Sequence, residues 1–208
     1  MEKRITELVF ILDKSGSMER IRRATISNFN ELLDAQRAEA HGDEARISVY
    51  SFNQTVEKVC FRAPLDSARH LTEETYVPEG LTALNDAVCT ALNEITGAEK
   101  EDLAKERKIV PIVCIITDGL ENASRFYSRT DVRRLIDAKK EEGWNFIFAG
   151  ANFDVETEGE RLGFARRDCL AFEASEHGVR RMAERVCHCC MSLRDDPDDD
   201  PSPRRPRR

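Results

Sequence analysis

The sequence predicts an α/β domain: a three-layer, mostly parallel sheet with helices on both faces and one antiparallel edge strand. Short apolar runs end in Asp or Gly and alternate with longer stretches of helical periodicity. Two of the runs, Leu8–Leu12 and Ile109–Ile116, are continuously apolar, as strands buried on both faces are. The segments between successive runs are long enough for the helical crossovers that parallel pairing requires.

The first strand is Glu7–Leu12 (ELVFIL), ending at Asp13 and expected to be central. From Arg20 to Ala40, Ile21, Thr25, Phe29, Leu32, Leu33 and Gln36 fall on one side at helical spacing, which predicts an amphipathic helix closed by His41-Gly42-Asp43. Ala45–Phe52 alternates apolar and polar residues, with Ile47, Val49 and Ser51 on one face. Asn53-Gln54 is a two-residue turn into Thr55–Phe61, so this pair is an antiparallel hairpin. Leu84, Ala87, Val88, Ala91, Leu92 and Ile95 define a helix over Thr82–Thr96. Ile109–Thr117 is a buried strand ending at Asp118-Gly119. Proline donates nothing to a ladder, so this strand is expected to begin at or after Pro111. Then follow a helix (Asp131–Glu142), a strand (Trp144–Ala149), a short helix (Asp154–Leu162), a short strand (Cys169–Phe172) and a last helix (Ser175–Leu193). This is a Rossmann-like order. Residues 1–193 are expected to form one domain, and 194–208, with four prolines and no apolar residue, a disordered tail.

Charge narrows the function. The formal net charge is -7. The tail holds five Asp and five Arg, so the body carries the whole imbalance, with 27 positive and 34 negative groups. An acidic body argues against nucleic acid and against anionic lipid, both of which need a basic face. No apolar run approaches the roughly 20 residues of a membrane-spanning helix. The five uninterrupted apolar residues near the start fall short of the roughly 7–15 of a secretory signal. Seven cysteines, an odd number, with Cys89 and Cys114 inside buried elements, favour free thiols. The expectation is a cytoplasmic protein, monomeric in isolation.

In an open parallel sheet, ligands sit beyond the carboxyl ends of the strands. Three loops there carry suitable chemistry: Asp13-Lys14-Ser15-Gly16-Ser17-Met18, Glu79-Gly80-Leu81-Thr82 and Asp118-Gly119. Together they offer two carboxylates and three hydroxyls, the hard oxygen donors that Mg2+ prefers. Asp13, Ser15 and Ser17 are spaced two apart, so an extended turn can aim all three the same way. Each residue alone has a plainer reading: Ser17 and Thr82 as helix N-caps, Asp118-Gly119 as a turn.

Asp13-x-Ser15-x-Ser17 after a buried strand, Thr82 ahead of a helix and Asp118 after a second strand resemble the von Willebrand factor type A domain and its metal-ion-dependent adhesion site. The resemblance spans about Thr6 to Leu193. The strings GLTALNDAV (Gly80–Val88) and IITDGLEN (Ile115–Asn122) are similar to stand-alone bacterial members. It implies a metal site made of Asp13, Ser15, Ser17, Thr82 and Asp118. Ser15 and Ser17 would ligate directly, Thr82 directly or through water, and the two aspartates largely through water. Mg2+ is the implied ion, with Mn2+ or Ca2+ as substitutes. It further implies binding rather than turnover, with the ion completed by an Asp or Glu of a partner protein. A related expectation is a regulatory or scaffold subunit beside an AAA+ ATPase or in a tellurite-resistance-like stress system.

Two rivals weaken on inspection. A haloacid-dehalogenase-like phosphatase needs a second Asp two residues after the first, where this chain has Ser15. Cys187-His188-Cys189-Cys190 invites a zinc reading, but four adjacent helical residues cannot surround a tetrahedral ion. On that helix Cys190 falls on the apolar face and His188 opposite it, so the thiols read as packing.

Overall fold

A computed structural model describes residues 4–39, 44–103 and 108–196. The strands among them are β1 (Arg4–Asp13), β2 (Glu44–Phe52), β3 (Val56–Pro64), β4 (Lys108–Thr117), β5 (Asn145–Gly150) and β6 (Cys169–Ala171). The helices are α1 (Arg22–Ala38), α2 (Leu84–Leu103), α3 (Arg129–Glu141), α4 (Val155–Leu162) and α5 (Glu176–Asp195). The strands form one sheet in the order β3-β2-β1-β4-β5-β6, parallel except for β2-β3. This is the expected three-layer fold.

β1 is central, paired in parallel with β2 and β4. Its continuous apolar run is used on both faces. Leu8, Phe10 and Leu12 join the core under α1 and α5; Val9 and Ile11 join the core under α2, α3 and α4. β2 departs from the one-sided burial that its alternation suggests. Val49 faces one core, Tyr50 and Phe52 the other, and its polar residues Ser48 and Ser51 are buried too. Serines are small enough to fit beneath a helix layer.

Pro111 corrects the expected start of β4. The strand runs through it, with Pro111 opposite Glu7 on β1. On the other side, pairing with β5 begins only at Ile112. At Pro111 that flank is an open edge, where a missing N–H leaves no neighbour unsatisfied.

The predicted apolar face of α1 is buried, with the Phe29 ring edge-on to Phe10 at 5.3 Å. The turn ahead of it, Gly16–Ile21, is a 3-10 helix. α2 runs seven residues past the predicted Thr96, through a polar stretch that apolar periodicity does not register. There Glu99 and Asp102 are buried, and Asp102 accepts Arg62 Nη2 at 2.6 Å. α3 opens on a capping box between Ser128 and Asp131. Ser128→Ala is expected to cost about 1 kcal/mol of stability in urea unfolding; an unchanged midpoint would show the cap to be idle.

α5 is capped by Ser175 and extends to Asp195. This corrects the expected start of the tail at 194. Arg194 is buried and donates to the Gln36 carbonyl and Oε1 at 2.8 and 3.1 Å, which ties α5 to α1. The rest of the expected tail, from 197, lies outside the described residues. Cys190 and Cys189 are buried, Cys187 is half-buried and His188 is exposed. Cys190 Sγ lies 3.6 Å from Cys114 Sγ as an unbonded thiol. Among the described residues, no helix is long and apolar enough to cross a membrane.

Candidate metal centre

β1, β2 and β4 run in parallel, so their carboxyl ends deliver three loops to one edge of the sheet. Backbone hydrogen bonds tie these loops together. Lys14 N donates to Phe52 O at 2.7 Å, Glu79 N to Lys14 O at 2.8 Å and Gly16 N to Gly80 O at 3.1 Å. Ala83 N donates to Asn53 O at 2.8 Å, and Asn122 N to Thr82 O at 3.0 Å. Gly80 takes a φ of +73°, and a Cβ there would overlap the Gln54 side chain that accepts Leu81 N.

All five predicted residues stand at this edge. Asp13 closes β1 with its side chain buried. Its Oδ1 accepts Ser15 N at 2.7 Å and its Oδ2 accepts Thr117 Oγ1 at 2.6 Å. Ser15 Oγ lies 3.2 Å from Ser17 Oγ, and Ser17 Oγ donates to Asp118 Oδ1 at 2.5 Å. A Cβ on Gly119 would lie 3.5 Å from Thr82 Oγ1 and 3.9 Å from Ser17 Oγ, so both hydroxyls converge beside Asp118. The two cap readings fail on position. Ser17 lies inside the 3-10 helix rather than capping α1, and Thr82 stands two residues ahead of Leu84, the first residue of α2.

The electrostatics leave room for a cation. Burial pushes the Asp13 carboxyl up to about 6; hydrogen bonds from Thr117 and Ser15 oppose the rise and the Asp118 charge adds to it. Asp118 Oδ2 is buried with no hydrogen-bond partner. Among the described residues it pairs with the Arg20 guanidinium, Nη2 at 3.7 Å, on a side chain 54% exposed. Two buried carboxylates facing one solvated arginine are under-neutralised. Among the described residues no three His, Cys, Asp or Glu side chains cluster to hold a metal. A cation at this edge therefore depends on the hydroxyls, and the oxygen donor set fits a hard divalent ion.

Several positioning residues escape motif reading. Thr117 and Tyr76 orient the end of β1, Tyr76 by donating its hydroxyl to the Asp13 carbonyl. Asn122 Oδ1 accepts Thr82 N at 2.9 Å. Glu121 accepts Asn85 N, Ala123 N and Ser124 N, and Asp86 accepts Arg125 N, Phe126 N and Tyr127 N. These two carboxylates fasten the loop after Asp118 to the start of α2. The only trace of them in the sequence is their adjacency to the motif residues.

The sequence profile of the family described as von Willebrand factor type A domain matches residues 7–182. Among solved structures, proximal thread matrix protein 1 from the mussel byssus superposes with a TM-score of 0.60 at 15% identity, over 89% of this chain and 46% of that one. A second structure of that protein, with a zinc-occupied MIDAS motif, gives 0.60 at 14%, over 89% and 46%. Manganese-loaded TRAP protein of Plasmodium vivax gives 0.55 at 15%, over 90% and 75%. The chain thus spans about half the length of the mussel chains. Such identities show a shared fold. A search of curated proteins returns no match.

Proposed function

The chain belongs to the von Willebrand factor type A domain family, and from that premise we propose that it is a metal-dependent protein-binding module. Ser15, Ser17 and Thr82 would hold a divalent cation through their hydroxyls, with Asp13 and Asp118 supplying charge around it. The observation that carries this reading is the run of contacts from Asp13 through Ser15 and Ser17 to Asp118, ending on an oxygen with no hydrogen-bond partner. Mg2+ is the expected ion on donor chemistry; the structural neighbours carry zinc and manganese. The cation, balanced mainly by neutral hydroxyls, supplies a position that attracts one more anionic oxygen, and the partner provides it from an Asp or Glu side chain.

The chain's own residues support binding over turnover. Ser15 occupies the place where a general acid would stand, and its hydroxyl is engaged with Ser17. The free thiols support a reducing, cytoplasmic setting. A body of charge -7 repels acidic partners unless a cation is bound, so capture should be metal-gated. A pull-down with the immobilised protein is expected to retain a partner in Mg2+ and to lose it in EDTA and with Ser15→Ala/Ser17→Ala. A partner held equally under all three conditions would refute the metal-dependent mechanism.

A further inference from the structure

Six large apolar side chains among the described residues are exposed. Val59 and Phe61 lie on the edge strand β3, where Lys58 Nζ covers the Phe61 ring at 4.8 Å. The other four, Val77, Leu81, Leu120 and Phe126, are on the loops that carry the metal centre. Leu81 adjoins Thr82 and is 56% exposed; Leu120 stands two residues after Asp118 and is 50% exposed; Phe126 is 83% exposed.

The backbone that carries these side chains is held rather than loose. Leu81 N donates to Gln54 Oε1 at 3.0 Å. Thr82 and Asn122 bond reciprocally, which fixes the Leu81 loop to the Leu120 loop. Phe126 is set by its own N–H and those of both neighbours, all donating to the buried Asp86 carboxylate at 2.8–3.0 Å. A backbone fixed so as to leave a phenylalanine in water buries no apolar area for the protein itself. A partner that covers it gains the apolar area without the cost of ordering the loop.

We infer that Leu81, Leu120 and Phe126 form an apolar rim that reads the residues flanking the captured carboxylate, so that the partner segment is an Asp or Glu bracketed by large apolar side chains. The inference rests on the carboxylate-capture reading. Local charge supports an acidic occupant despite the negative body: Arg20, with Nη2 3.7 Å from Asp118 Oδ2, and Arg125, next to Phe126 in the chain, are both exposed. Burying one large apolar group against the rim corresponds to roughly a tenfold gain in affinity.

Two short blocked peptides test it, one with Leu-Asp-Leu and one with Ser-Asp-Ser between glycines, titrated into 15N-labelled full-length protein in excess Mg2+ and followed by NMR. The leucine peptide should bind at least about tenfold more tightly. Leu120→Ser/Phe126→Ser should close that gap, leaving the serine peptide's affinity and the Mg2+ affinity unchanged. Equal binding of the two peptides by the unmodified protein, or a gap that survives in the variant, overturns the rim. If neither peptide binds while Mg2+ does, carboxylate capture itself falls and the rim falls with it.

Discussion

Asp118→Asn is expected to raise the melting temperature of the metal-free protein and to remove most of the stabilisation that Mg2+ gives. Without a cation, Asp13 and Asp118 are two buried carboxylates facing each other's charge, and Asp118 Oδ2 has no hydrogen-bond partner. Relieving one charge is worth about 1 kcal/mol, or roughly 2–4 °C for a chain of this size. The lost contact to Arg20, 3.7 Å away and half-exposed, offsets little of that. With Mg2+ at a hundredfold excess over its dissociation constant, the unmodified protein gains about 2.7 kcal/mol, roughly 5–10 °C. A 10–100-fold loss of affinity leaves the variant only about 0.4–1.4 kcal/mol of that gain. The order of the two proteins therefore inverts between EDTA and Mg2+ in a thermal melt. A variant less stable in both buffers, with an unchanged Mg2+ increment, would show Asp118 to be a structural turn residue.

Such an inversion would be the energetic signature of a site kept for function, in which the residues proposed to bind the ion are those the fold would rather lose. The same tension explains what was legible beforehand. The fold was legible because β1 and β4 are continuously apolar and the helices between the strands keep a clean period. The five oxygen-bearing residues were legible because each stands at or within four residues of a strand's carboxyl end, or just ahead of α2. What escaped detection depends on contacts far apart in sequence. Pro111 is tolerated only because β5 pairs with β4 one residue later. Asp86 and Glu121 look like ordinary surface acids until the fold turns their oxygens onto backbone N–H groups of the loop after Asp118 and of the start of α2. The last turns of α2 carry no apolar stripe, and their buried face becomes intelligible only once Arg62 is seen to enter from β3.

That end of the sheet, opposite the candidate metal centre, makes the second large prediction. Arg62 sits beside a β-bulge with φ at +46°, and its guanidinium donates to Glu7 Oε2 at 2.8 Å and to Asp102 Oδ2 at 2.6 Å. Arg46 donates to Asp102 as well, at 2.8 Å. Glu99 is 5% exposed, and its Oε1 has no partner, nor has Glu7 Oε1. Burial, with the Glu7 charge adding to it, pushes the Glu99 carboxyl from 4.5 up to about 7, against the opposing pull of Arg62 and Lys139. The folded state therefore holds a proton between about pH 4.5 and 7 that the unfolded chain has released, and stability falls as pH rises through that window. The penalty is absent well below pH 4.5 and complete above pH 7, at about 3 kcal/mol. Glu99→Gln removes the titration and one of the two buried carboxylate charges. It should stabilise the protein by roughly 2–3 kcal/mol at pH 8 and by under about 1 kcal/mol at pH 5, read from urea unfolding at the two values. Equal effects at both would mean that Glu99 does not titrate in this range. The two ends of the sheet thus carry the same defect, buried carboxyl oxygens without partners. At Asp118 loops bearing hydroxyls surround the proposed cation position; at Glu99 the arginines are spent on Glu7 and Asp102, and a proton neutralises the carboxyl.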